Sequence, residues 1–345
     1  GRLPVALSWF RRGLHAAEGT QGDAQAELSI AYAGIRFRQG KFPKTIKWCE
    51  RALADPGATD AQRGHALHLL VLVYAELGMP EAEEVAPGAI EIYERIGDLA
   101  GLGDVLNNLG VNAFYRGNWD ESDDYHARAE MARRRAGHVI GAAASVNNRA
   151  EIYCDQGKLE HAESMFRESL YVFESSSFPV GVALASANLG RTLTRAGRSE
   201  EAWEYLERGM RLFSDMGASA FIHETEVKLA EFFLLTGRRD AARSEAEKSL
   251  GTMPKDQSTL RPRSGLHRVL AYCAVADHAH DEALLQFETS LEAAQQARAL
   301  YEQAATYEGM TRTLRHDPRA PEWDRLQAEM YRRLGVVATP VIPLA

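Results

Sequence analysis

Cysteine is scarce in this chain. The 345 residues hold 3, at Cys49, Cys154 and Cys273, far apart and never as a CxxC pair. That rules against a disulfide framework or paired-thiol zinc site and reads as reduced thiols of a cytosolic protein. β-Branched runs are few while Ala and Leu abound, which favours helix over sheet. No apolar run reaches the roughly 18 residues that span a bilayer. A basic excess is missing too: 40 Lys+Arg stand against 48 Asp+Glu, for a formal net charge of -8. Direct nucleic-acid binding needs a basic stripe that this balance does not supply. The opening GRLPVALSWFRRGLHAAEG lacks the order of charge, apolar stretch and cleavage site of a secretory leader. It also lacks an initiator Met, which reads as a fragment cut from a longer protein or a processed chain.

What the chain does have is a repeat. Turn glycines fall at Gly40, Gly78, Gly117, Gly157, Gly197 and Gly237, spaced 38, 39, 40, 40 and 40. Each lies between two helix-like runs, and most of the second runs open on acidic residues. A fixed period of this size signals a helical solenoid whose units contact mainly their neighbours. Hydrophobic residues at 45% and charged residues at 26% fit a folded chain of this kind.

The expected organisation is one all-α solenoid over 1–345, with a right-handed superhelix and a period of about 40. A capping helix occupies 4–17, where Val5, Leu7, Phe10, Leu14 and Ala17 make one apolar face. Six regular repeats fill 23–250. Pro80 sits in an opening turn, and Pro87 is expected to kink or interrupt its helix. An irregular loop at 251–264 contains Pro254 and Pro262. Degraded repeats and a C-terminal cap follow at 265–334, with helices near 265–277, 280–299, 301–314 and 320–334. The tail at 335–345, apolar with two prolines, reads either as a cap along the last helices or as the stump of a linker.

Counting back from each turn Gly exposes a register. Seven residues before it stand Ala33, Val71, Gly110, Ala150, Gly190 and Ala230, small or modest as a close helix crossing needs. Eight before it the residue is mostly large and apolar, and four before it often aromatic. Five after it stand Thr45, Glu83, Ser122, Ala162, Ala202 and Ala242. This pattern resembles the tetratricopeptide repeat, with its Leu-Gly pair, aromatic, turn Gly and small residue at these offsets. The longer unit, the NNLG sequence and the acidic second-helix starts resemble the repeat regions of actinobacterial multidomain adenylate/guanylate cyclases and MalT-like STAND ATPase regulators. In those families a catalytic or DNA-binding domain and an ATPase precede the array. Neither a cyclase core nor a GxxxxGK[ST] loop occurs here, so none of that chemistry carries over.

The resemblance implies that first helices line a concave groove. Asn107 and Asn147 stand ten residues before the turn Gly; Asn108, Asn148 and Asn188 stand nine before it, with Lys228 next in that series. Asn carries both donor and acceptor, as an extended peptide backbone requires. In peptide-binding members Asn at this position does that work, which implies a peptide site at Asn108, Asn148 and Asn188. One helical turn along lie Glu151, Arg191 and Glu231, with Asp104, Asn112 and Arg149 nearby; Arg191 could clamp a carboxylate. A purely structural Asn ladder between helices is the competing reading.

Other clusters read as structural. The aromatics recur at helical spacing as core. Phe114 and Tyr115 are adjacent, so one of them faces the groove, and Trp119 caps a turn. Asp277, His278, His280 and Asp281 read as solvated turn residues, Arg133-Arg134-Arg135 as a helix C-terminus that favours cations, and His65 and His68 as groove or core. No Ser/His/Asp or Cys/His set can be assembled, and no metal or cofactor is expected. The function implied is a non-catalytic regulatory module of a larger bacterial signalling protein. Its expected partner is a protein or peptide, a domain of the same parent protein included, with no direct nucleic acid and no membrane. The alternatives are a self-associating scaffold, such as a homodimer, and a small-molecule sensor.

Overall fold

The computed structural model describes residues 24–343, together with Trp9, Arg12 and Gly13. The expected capping helix at 4–17 otherwise lies outside the described residues. Every regular element among them is a helix. In chain order these are α1 (Ala24–Arg38), α2 (Phe42–Leu53), α3 (Asp60–Glu76), α4 (Glu81–Ile96), α5 (Leu99–Tyr115) and α6 (Trp119–Arg135). There follow α7 (Val139–Asp155), α8 (Leu159–Ser175), α9 (Pro179–Arg195), α10 (Ser199–Met216), α11 (Ser219–Leu235) and α12 (Arg239–Thr252). The last are α13 (Leu260–Ala276), α14 (His280–Gln296), α15 (Leu300–Thr313) and α16 (Ala320–Leu334). The fold is an all-α, TPR-like solenoid of helical hairpins. None of the described helices is long and apolar enough to cross a membrane.

Contacts group the chain into two compact units, Gly1–Asn112 with Arg128–His138, and Ala113–Ala127 with Val139–Ala345. The first holds α1 to α4, most of α5 and the end of α6. The second holds α7 to α16 with the adjoining ends of α5 and α6.

The helices recur because one junction recurs. Positive φ is found at Gly97, Gly117, Gly137, Gly157, Gly197, Gly217 and Gly237, with Ser177 taking φ 50 in the same series. Junctions between hairpins thus use the same left-handed stop as turns within them. At Gly157 the amide donates to the Cys154 carbonyl at 3.1 Å and the next amide, of Lys158, to Tyr153 at 2.9 Å. These bonds satisfy the last carbonyls of α7, and glycine enters the left-handed region without a Cβ penalty.

Close crossing follows from the small residues. A Cβ on Gly190 would lie 2.7 Å from Leu206 Cγ and 2.9 Å from its backbone nitrogen, so α9 and α10 meet where only glycine fits. Around them the second unit buries Phe166, Phe213, Phe232, Leu189, Leu193 and Leu206 almost completely. Each such side chain contributes about 1.5–3 kcal/mol by leaving water. In the first unit Tyr93 is fully buried, with His65 and His68 against its ring.

Three details differ from the sequence expectation. The α4 helix runs through Pro87 without interruption. The loop expected at 251–264 is shorter, because α13 already begins at Leu260. Pro262 falls in its first turn, where no intrahelical N–H bond is lost. Tyr171 is 71% exposed, so it does not belong to the core.

Candidate functional site

In the second unit the first helices of successive hairpins, α7, α9, α11, α13 and α15, bring their polar stripes to one cleft. It is open to solvent and lined by Glu151, Arg191, Glu224, Val227, Lys228, Glu231, Arg261, Pro262, Arg268 and Glu302. Four carboxylates face four cations there, so the cleft has mixed rather than single-sign charge. The register explains why they meet. Glu151, Arg191 and Glu231 stand six residues before their turn glycines and Lys228 stands nine before, which is one helix face at 3.6-residue periodicity.

Beneath the cleft lies a buried ion network. Arg191 binds Asp155 at 2.8 Å and Glu231 at 3.1 Å; Arg195 binds the same two, at 3.0 and 2.7 Å. Arg195 also donates to the Cys154 carbonyl at 3.3 Å and lies over the Tyr301 ring. Burial would raise the Glu231 carboxyl, but Arg195 and Arg191 outweigh it and hold the group at about 2. Asp155 is likewise lowered: burial opposes ionisation, and the two arginines prevail. Glu151 behaves oppositely, since burial raises it despite Arg261 and Lys228. On the far side Arg268 binds Glu302 at 2.7 Å, Arg261 approaches Glu302 at 3.7 Å, and Arg261 lies over Phe114 and Tyr115.

Of the residues singled out in the sequence, the structure brings Glu151, Arg191, Lys228 and Glu231 together. Asn188 is buried at 6% exposure, and Asn147 at 5%, its Oδ1 meeting no hydrogen-bond donor among the described residues. Asn148 is half-buried and does not line the cleft. Arg149 turns to the other side of α7, where Asp123 takes its Nε at 2.8 Å and the Tyr153 hydroxyl at 2.9 Å. In the first unit, Asn107 accepts from Arg133 at 3.2 Å and Asp104 pairs with the same guanidinium at 2.8 Å. Arg133 is therefore a buried strut against α5, more than a helix-end charge. Asn108 meets His68 Nε2 at 2.8 Å, and Asn112 is half-buried.

Asp155, Arg195, Glu224, Arg261, Arg268 and Glu302 join the site without being among the residues that the sequence pattern singles out. Asp155 and Arg195 were within reach: they continue the stripe by one turn, four residues after Glu151 and Arg191. Arg261 and Arg268 were not, because the turn-Gly register ends at Gly237. Trp119 does cap its turn, its indole N–H donating to the Phe114 carbonyl at 3.2 Å. Asp277 pairs with Arg243. No cluster of three or more His, Cys, Asp or Glu side chains suited to a metal ion occurs among the described residues. All three thiols are buried, and burial raises each of them, Cys49 to about 12.

Residues 141–215 match the family model described as tetratricopeptide repeat. The regulatory protein AfsR of Streptomyces griseus is 24% identical over 226 residues, which is 65% of this chain and 22% of AfsR. The chain thus spans about a fifth of that relative's length. Among solved structures, a STAND (Signal Transduction ATPase with Numerous Domains) protein with a tetratricopeptide repeat sensor, from Pyrococcus horikoshii, superposes with a TM-score of 0.62. Its identity is 16%, over 93% of this chain and 46% of that one. NprR in complex with its cognate peptide NprX gives a TM-score of 0.60 at 14% identity, covering 77% and 78% of the two chains. The chain is a TPR-like helical repeat domain.

Proposed function

We propose that this chain is a non-catalytic, cytoplasmic regulatory module of a larger signalling protein. It captures an extended peptide, or a segment of a neighbouring domain, on the inner helices of its second unit. The observation that carries the reading is the convergence of Glu151, Arg191, Lys228 and Glu231, from three successive hairpins, on one cleft. The ion pairs engage Arg191, Glu231, Arg268 and Glu302 with one another or with Asp155. Lys228, Glu224 and Glu151 line the same cleft outside those pairs. They offer both signs of charge, which suits a peptide carrying both signs better than a polyacidic tail. The peptide-bound relative NprR and the sensor-bearing STAND protein support a peptide-responsive role in regulation.

The reading is tested with peptides selected from a displayed random library on the full chain, then synthesised with a fluorophore. Lys228→Glu should weaken them about tenfold, or about 1.4 kcal/mol, while helicity is unchanged. Equal affinity for parent and variant would remove the cleft as the binding site.

A further inference from the structure

Residues 336–343, VVATPVIP, follow α16 without helical structure and carry no charge. They lie against the inner helices of the second unit. The Val337 amide donates to the Gln156 carbonyl at 2.8 Å, and the Gln156 side-chain amide donates to the Leu334 carbonyl at 2.9 Å. The next carbonyl, of Ala338, sits so close to the α7–α8 turn that a Cβ on Gly157 would be 2.3 Å from it. The Thr339 hydroxyl donates to Glu308 Oε1 at 2.6 Å, while the other oxygen of that buried carboxylate takes the Tyr331 hydroxyl at 2.8 Å. Pro340 and Ile342 then line a second, partly open cavity. That cavity shares Val227, Glu231 and Arg268 with the charged cleft.

These contacts are those of a bound peptide: a backbone amide on a protein carbonyl, a hydroxyl on a buried carboxylate, and aliphatic and prolyl groups over a pocket. Two prolines keep the segment extended, which lowers the entropy lost on docking. We propose that residues 336–343 are an intrasteric occupant of the peptide groove. They hold the inner face until a peptide of like chemistry displaces them: extended, uncharged at this end, with Ser or Thr followed by Pro and aliphatic residues. The proposal rests on the inner face being a peptide site, and it adds the ligand's chemistry and the device that controls access. Tethering gives the tail an effective concentration in the millimolar range, so a competitor must bind well to win.

The probe is a fluorescein-labelled synthetic peptide of residues 336–343, added to the full chain and to a chain ending at Gly335. The shortened chain should take up the peptide saturably, and the full chain at least tenfold more weakly. Failure of a helical shortened chain to bind it, or equal binding by both, would overturn the proposal. Should shortening reduce helicity, the full-length double variant Val337→Pro, Thr339→Val decides. It removes the amide and the hydroxyl that hold the tail, and should gain peptide binding over the parent; no gain counts against the proposal. The charged-cleft reading fails separately. Library peptides sensitive to Lys228→Glu but indifferent to tail removal would refute the occupant and keep the cleft. Tail-peptide uptake without any Lys228-sensitive ligand would do the reverse.

Discussion

Arg195 reaches across from α9 to place one guanidinium nitrogen 3.0 Å from Asp155, a side chain at the end of α7 with no exposed surface. Two hairpins are joined there by charge in addition to the apolar core they share. Arg191 and Glu231 complete the set, and burial keeps water from screening it. A buried pair of this kind is a weak source of net stability, but breaking it is costly, because the remaining charge is left uncompensated.

Asp155→Ala should therefore destabilise the chain by about 3–5 kcal/mol. Asp123→Ala, which removes the bond to the less buried Arg149, should cost about 1 kcal/mol. Urea unfolding followed by circular dichroism measures both. Similar small losses for the two would show that the network is not load-sharing between hairpins.

The pH dependence has a definite sign. Glu231 is held at about 2 against an ordinary value of 4.5. A depressed carboxyl contributes stability that is present above its unfolded value and lost as pH falls through the folded one, here between about 4.5 and 2. The shift corresponds to something on the order of 3 kcal/mol. Glu151, raised by burial, acts oppositely: its contribution is lost as pH rises through its folded value. Glu231→Gln should flatten the fall in unfolding free energy between pH 4.5 and 2, and Glu151→Gln should be neutral or mildly stabilising at pH 7. An unchanged acid slope in the Glu231 variant would mean that its pairing carries no such linkage.

Gly157 and Gly237 take similar positive φ, 81° and 73°, but only Gly157 has the tail above it. Alanine at Gly237 should cost about 1 kcal/mol, the ordinary penalty for a left-handed residue. Alanine at Gly157 should cost more and should speed proteolytic release of residues 336–343, because Ala338 must move. Mass spectrometry of timed digests, with unfolding midpoints for the two variants, gives the comparison. Identical behaviour would mean that the tail is not seated on this turn.

Much of the fold is legible in the chain because its determinants are local. A left-handed Gly and small residues at a fixed offset set each turn and crossing without help from distant segments. Glu151, Arg191, Lys228 and Glu231 were readable for the same reason, since register alone puts them on one face. The Asn positions show the limit. Register gives Asn188 the same face as Lys228, yet burial differs from hairpin to hairpin, and offset does not encode it. Likewise nothing in a run of three arginines marks Arg133 as the one drawn onto Asn107 and Asp104.

By itself, then, the sequence determined an all-helical repeat, its turns and the stripe that faces inward, all consequences of short-range geometry repeated along the chain. Only the tertiary structure decided which polar groups on that stripe neutralise one another, and that residues 336–343 return to Gln156 and Glu308. Those pairings join segments far apart in the chain, and no local spacing specifies which distant partner a buried charge or an extended segment will meet.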